Sequence, residues 1–139
     1  MKIGFIGGGN MASALMGGLI SSGKNPEDII LFDTDSEKCS KWQENGVCIA
    51  DNATGVEEIS DIIVLAVKPN IIGNVLKEFK GYKEKIYVSI AAGISLSYIE
   101  DILGAGMKIV RTMPNTPAQV RCGMTVITPN KNLSDKETE

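Results

Sequence analysis

Lys2-Ile3-Gly4-Phe5-Ile6-Gly7-Gly8-Gly9-Asn10-Met11-Ala12 is the stretch on which the fold turns. Its first five residues read as a short buried strand. Gly7 to Ala12 form a G-x-G-x-x-A turn, and Met11 to Ile20 read as a buried helix. In that order a strand, a glycine turn and a helix bring backbone N–H groups to a pyrophosphate. The first glycine makes the tight turn, the second lets the phosphate approach, and the third small residue, Ala12, lets helix and strand pack closely. The helix N-terminus adds partial positive charge. A plain βα unit with a tight turn is the competing reading. The required context, strand before and helix after, favours a dinucleotide site.

Outward from this unit, strands and helices alternate every 20 to 25 residues or so, the pattern of a doubly wound parallel sheet. Ile29 to Phe32 read as a second strand, followed by a polar helix from Ser36 to Glu44 stopped by Asn45-Gly46. Val47 to Ala50 form a short strand, and Asn52 is placed to cap a brief helix through Ile59. Ile62-Ile63-Val64-Leu65-Ala66-Val67 is continuous and apolar, as a central parallel strand should be. A helix from Ile71 to Phe79 opens after Pro69-Asn70, and Ile86 to Ile90 are the next strand. A helix over 96–103 has Ser97 and Ser95 as competing caps. Met107 to Thr112 read as a strand, 113–123 as a loop with two prolines, and Met124 to Thr128 as a last strand. The expected fold is α/β, a Rossmann-type, mostly parallel sheet with helices on both faces. It forms one dinucleotide-binding domain over 1–128, and 129–139 are a polar tail. That tail, charged and with Leu133 as its one large apolar residue, reads as the start of a segment leading to a further helical domain.

The 139 residues carry 43% hydrophobic and 22% charged side chains, an ordinary globular composition, and a net charge of -3. That charge argues against nucleic acid or an anionic membrane as partner, and no apolar run reaches the ~18 residues of a membrane helix. Cys39, Cys48 and Cys122 form no C-x-x-C pair, and there is no histidine. No metal site is expected, and free thiols point to the cytoplasm. Without histidine, a dehydrogenase of the alcohol or 2-hydroxy-acid kind lacks its usual proton shuttle.

Ligands of open α/β sheets lie beyond the C-terminal ends of the strands. Strand 2 ends on Asp33-Thr34-Asp35. An acid there bonds the ribose hydroxyls of NAD, whereas NADP sites favour arginine or small hydroxyl residues. Asp35 is an alternative helix cap, and Lys38 and Lys41 read as a solvated helix face or as added positive charge. Strand 4 ends on Ala66-Val67-Lys68-Pro69, with a lysine locked by proline where the nicotinamide half should run. After strand 5, Ile90-Ala91-Ala92 are small enough to leave room for a ring. After strand 6, Asn115 and Thr116 lie in a stiff polar loop between Pro114 and Pro117.

Taken together these pieces resemble pyrroline-5-carboxylate reductase. The matching segments are Ile3 to Ala12, Ala66-Val67-Lys68-Pro69, Ala91-Ala92-Gly93-Ile94-Ser95, Arg111-Thr112-Met113-Pro114-Asn115-Thr116-Pro117 and Gly123-Met124-Thr125. The resemblance implies reduction of 1-pyrroline-5-carboxylate to L-proline with NAD(P)H. It implies cofactor contacts from Ile6, Gly7, Gly8, Gly9, Asn10 and Met11 to the pyrophosphate, and from Thr34 and Asn52 at the adenosine end. Ala66, Val67, Lys68, Pro69, Ile90, Ala91 and Ala92 then flank the nicotinamide half. It also implies a helical C-terminal domain, outside these residues, that dimerises and supplies most of the substrate pocket. No catalytic acid or base is expected within the chain. Asp33 favours NADH through charge repulsion of a 2′-phosphate, unless it turns away and bonds backbone. The resemblance favours NADPH, and the reading adopted is NADPH with NADH also accepted. The alternatives are the cofactor domain of a β-hydroxyacid-type dehydrogenase and a stand-alone dinucleotide-binding module.

Overall fold

The computed structural model describes residues 1–90, 94–104, 106–114 and 125–129, with 112–114 and 125–129 described by their backbone. Seven strands form one sheet in the order β3-β2-β1-β4-β5-β6-β7. The strands are β1 (Ile3–Ile6), β2 (Ile29–Phe32), β3 (Cys48–Ile49), β4 (Ile62–Leu65), β5 (Ile86–Ser89), β6 (Lys108–Pro114) and β7 (Thr125–Pro129). The first six are parallel, and β7 joins the edge antiparallel to β6. The helices are α1 (Asn10–Ser21), α2 (Ser36–Glu44), α3 (Ala53–Ile59), α4 (Pro69–Glu78) and α5 (Leu96–Leu103). The order reverses between β1 and β4, so the crevice beyond their C-terminal ends is the topological switch point where such sheets bind ligands.

Alternate residues of each strand feed two cores, one on each face of the sheet. Ile3 and Phe5 of β1 with Ile29 and Leu31 of β2 pack under Met16 of α1 and Trp42 of α2. Ile6, Ile30, Ile63 and Leu65 face the other way, toward Val56 of α3, Ile72 and Leu76 of α4 and Ile99 of α5. Gly4 belongs to that second face. A Cβ there would lie 2.3 Å from both Ser60 Oγ and Val56 Cγ1, so its bare backbone is what lets the end of α3 close on β1.

Local chemistry fixes the element ends. Asp35 caps α2 by accepting from Glu37 N, and Asn52 caps α3 by accepting from Gly55 N. Ser95, not Ser97, caps α5 through Tyr98 N. Several boundaries differ from the sequence reading by a residue or two. β4 stops at Leu65, because Ala66 and Val67 bend over the glycine turn: Ala66 O would lie 2.6 Å from a Cβ on Gly7. β6 runs on to Pro114 rather than Thr112, because β7 pairs with it as far as Pro114↔Thr125. Before β2 a 3-10 turn, Pro26–Asp28, is capped by the Asn25 side chain. Residues 115–124, where the sequence reads as a loop, and 130–139, where it reads as a polar tail, lie outside the described residues, as do Ala91, Ala92, Gly93 and Ala105.

At the edge opposite the crevice, the fully buried Glu57 holds the chain beyond α4. Its Oε1 accepts from Lys80 N at 2.9 Å and Gly81 N at 3.2 Å, while Oε2 is buried without a partner. Lys85 Nζ donates to the carbonyls of Glu57 and Glu58. The Tyr87 hydroxyl accepts from Tyr82 N, and burial pushes its phenol up to about 12. Desolvation likewise lifts the Glu57 carboxyl above its ordinary 4.5, against the opposing pull of the two N–H donors. A carboxyl with a raised folded pKa costs stability above that pKa, and the cost is relieved as pH falls through it toward the unfolded value. Glu57→Gln keeps an acceptor for Lys80 and Gly81 without a charge. Thermal melts should therefore show the variant more stable than wild type at neutral pH, with the gap closing as pH falls toward about 4.5. A difference that does not change with pH would contradict this assignment of the burial cost.

Candidate functional site: a crevice at the switch point

Beyond the C-terminal ends of β1, β2 and β4 lies a cleft of about 490 Å³. Its floor is Ile6, Gly7, Gly9 and Phe32, one wall is Asp33, Thr34 and Lys38, and the other runs from Ala66-Val67-Lys68 along α4. Gly7 has φ +101° and donates its N–H to Phe32 O at 2.8 Å, so the chain turns sharply off β1 while tied to β2. Gly9 is the N-cap of α1, in extended conformation. A Cβ at Gly9 would meet nothing within 4 Å, which leaves open space above the start of the helix.

Helix α1 begins with no side-chain cap and no acidic residue in its first turn. A helix end leaves its first N–H groups without intrahelical partners, and proteins ordinarily satisfy them with a capping side chain. Here those donors and the positive end of the helix dipole face a cleft from which a side chain is absent at Gly9. An anionic diphosphate fits this arrangement, because it supplies acceptors and negative charge to a helix start that has neither a capping side chain nor an acidic residue in its first turn. Ala12, 1% exposed, is pressed against the sheet, as the fingerprint requires of its third small residue.

The Asp33 carboxylate is turned into the backbone. Its Oδ2 accepts from Gly8 N at 2.6 Å and its Oδ1 from Asp35 N at 2.8 Å. Thr34 is exposed at the rim. Lys68 is the N-cap of α4, followed by Pro69 at the first helical position, and its carbonyl accepts from Ile71 N and Ile72 N.

Of the residues singled out in the sequence, Ile6, Gly7, Gly9, Asp33, Thr34, Ala66, Val67 and Lys68 converge on this cleft. Gly8, Asn10, Met11 and Ala12 belong to the turn and first helical turn around it. Asn52 stands beside it, its Oδ1 engaged in capping α3, while its neighbour Ala53 lines the wall. Ile90 follows β5 and packs on the α1–α2 side of the sheet. Ala91, Ala92 and Asn115 lie outside the described residues. The sequence reading missed the α4 wall of Ile71, Asn74, Val75 and Glu78. Ile71, Asn74, Val75 and Glu78 follow the i, i+3, i+4, i+7 rule of a single helix face, and Ile71 is 43% exposed, a signal that the periodicity alone did not separate from core packing. Among the described residues no cluster of His, Cys, Asp or Glu could hold a metal ion, and no helix is long and apolar enough to cross a membrane.

This geometry has close counterparts. The chain is 44% identical over 141 residues to pyrroline-5-carboxylate reductase of Escherichia coli (strain K12), with 99% of this chain and 52% of that protein covered. The structure of a pyrroline-5-carboxylate reductase from Coxiella burnetii superposes with a TM-score of 0.92 at 36% identity, over 97% of this chain and 52% of the other. That of Plasmodium falciparum pyrroline carboxylate reductase with NADP bound gives 0.88 at 32% identity, over 99% and 51%. The chain therefore spans about half the length of the curated relatives it matches. A family model described as "NADP oxidoreductase coenzyme F420-dependent" matches residues 2–93, and the chain belongs to that family.

Proposed function

We propose that this chain is the cofactor-binding part of an oxidoreductase that reduces 1-pyrroline-5-carboxylate to L-proline with NADPH, NADH being accepted as well. The observation that carries the reading is the uncapped start of α1 at Gly9, open to the cleft at the switch point of the sheet. The similarity to pyrroline-5-carboxylate reductases across 99% of the chain supports the substrate, and the NADP-bound relative supports the cofactor.

The dinucleotide supplies the hydride, delivered to the carbon of the substrate C=N bond. This chain's residues bind and orient. The N–H groups at the start of α1 receive the diphosphate, and the helix dipole offsets its charge. Ala66, Val67, Lys68 and Pro69, stiffened by the proline, together with Ile90, Ala91 and Ala92, hold the nicotinamide end, and Asn115 is a further cofactor contact. Thr34 and Asn52 serve the adenosine end. The imine nitrogen takes its proton from water near neutral pH, so no histidine is needed. Rate enhancement then comes chiefly from alignment of hydride donor and acceptor. The substrate pocket and the dimer interface belong to a further helical domain, and the protein works in the cytoplasm.

The test is turnover. The full-length protein given 1-pyrroline-5-carboxylate should oxidise NADPH and form proline, whereas the 139 residues alone should bind NADPH and form none. Proline formation by residues 1–139 at the full-length rate would refute the division of labour. Absence of turnover in the full-length protein would refute the substrate.

A further inference from the structure

Ala53 and Glu57 stand one turn apart on α3, and both are buried. Each connects α3 to α4 in a different way. Ala53 lines the cleft together with Val75 and Glu78 of α4. Glu57 Oε1 accepts from Lys80 N at 2.9 Å and Gly81 N at 3.2 Å, the chain that leaves α4 directly after Glu78. The next amide, Tyr82 N, donates to the Tyr87 hydroxyl at 3.0 Å. Lys85 donates to the carbonyls of Glu57 and Glu58, which ties the end of α3 to the start of β5. The other ties between these helix ends are weaker. Thr54 Oγ1 donates to Glu78 O at 3.5 Å, and the Lys80–Glu58 ion pair is 59% and 46% exposed. A carboxylate at position 57 is costly, since Oε2 is buried without a partner. What it supplies is a fixed geometry, because one oxygen takes both amides.

We propose that Glu57 is a positioning residue for the cleft: by gripping the chain where it leaves α4, it sets the spacing of α3 and α4 and so the width of the cleft between Ala53 and the Val75–Glu78 turn, where the adenosine end of the dinucleotide lies. This rests on the dinucleotide reading given above. The grip is a fixed part of the wall and not a contact that forms on binding. It acts through acceptor geometry, so a neutral acceptor of the same length does the same work. Loss of the acceptor frees the end of α4 and loosens the adenosine end alone, while the glycine turn and the nicotinamide end keep their shape.

Titration with NADPH, thermal melts and steady-state assay of the full-length protein test the assignment. Glu57→Ala leaves both amides without an acceptor and should weaken NADPH binding about tenfold at a temperature where the variant is folded. Glu57→Gln keeps the acceptor and should bind within about twofold of wild type. In the assay Glu57→Ala should raise the KM for NADPH by the same factor, with kcat and the KM for 1-pyrroline-5-carboxylate changed by less than about twofold. Should Glu57→Ala fail to fold, Glu57→Asp, one methylene too short to reach the amides, takes its place with the same expected loss. Wild-type affinity in the folded Ala or Asp variant would overturn the proposal, and so would a loss in Glu57→Gln as large as theirs. A fall in kcat with an unchanged KM for NADPH would overturn it as well. Wild-type protein that binds no NADPH would refute the dinucleotide reading itself, and the proposal with it.

Discussion

Gly9→Val should abolish dinucleotide binding while leaving the protein folded. Gly9 has φ -69° and ψ -171°, an extended conformation open to any residue, and a Cβ there meets nothing within 4 Å. The fold therefore gains no clash and no backbone strain. The branched side chain instead fills the approach to the first N–H groups of α1, where the diphosphate must come into hydrogen-bond contact. Charge-assisted hydrogen bonds contribute about 1.5–3 kcal/mol each. Loss of two corresponds to about 3 kcal/mol or more, at least on the order of 100-fold in affinity. Calorimetric titration with NADPH, alongside a thermal melt, checks both halves. A folded variant of unchanged affinity would remove the diphosphate from this turn.

The opposite behaviour is expected two residues earlier. Gly7→Ala should cost the fold itself, because a methyl group there meets backbone and not solvent. Gly7 has φ +101°, and its Cβ would lie 2.6 Å from Ala66 O and 3.0 Å from Ala66 C. Sparsely populated backbone conformations cost of order 1–3 kcal/mol, and overpacking against atoms that cannot yield adds about 1–3 kcal/mol. Against a typical domain stability of about 5–15 kcal/mol, the melting temperature should drop by roughly 10 °C or more. A melt within about 2 °C of wild type would show that the turn is free to relax away from β4. The pair of variants separates two jobs of one motif: Gly7 shapes the turn, and Gly9 keeps the space above it clear.

Much of this was legible in the residues because glycine is diagnostic where a side chain is forbidden. The Ile3–Ile6 strand, the turn and α1 follow from the opening motif, and the continuous apolar runs Ile29–Phe32 and Ile62–Leu65 mark strands buried on both faces. The mostly parallel, doubly wound sheet with helices on both faces follows from βα alternation, whereas the order of its strands came from the structure. What sequence could not give is orientation. Asp33 is at the expected strand end, yet whether its carboxylate faces ribose or backbone depends on where Gly8 N and Asp35 N point once the turn is built. The α4 wall escaped for a related reason. Ile72 and Leu76 face the core, while Ile71 and Val75, their immediate neighbours in sequence, line the cleft, and an apolar helix pattern does not separate two apolar faces. The length of β6 depended on a partner strand distant in sequence, since Met113 and Pro114 continue the strand opposite Val126 and Thr125.

Hydrogen exchange of the protein with and without NADPH tests the central claim most directly, because it reports where the dinucleotide sits and not only that it binds. The account predicts slowed exchange in three segments, Gly8 to Ser13, Leu31 to Lys38 and Ala66 to Val75, with no change around Glu57 and Lys80 to Lys85 at the opposite edge of the sheet. Saturable binding with protection confined to that opposite edge, or no binding at all, would contradict it.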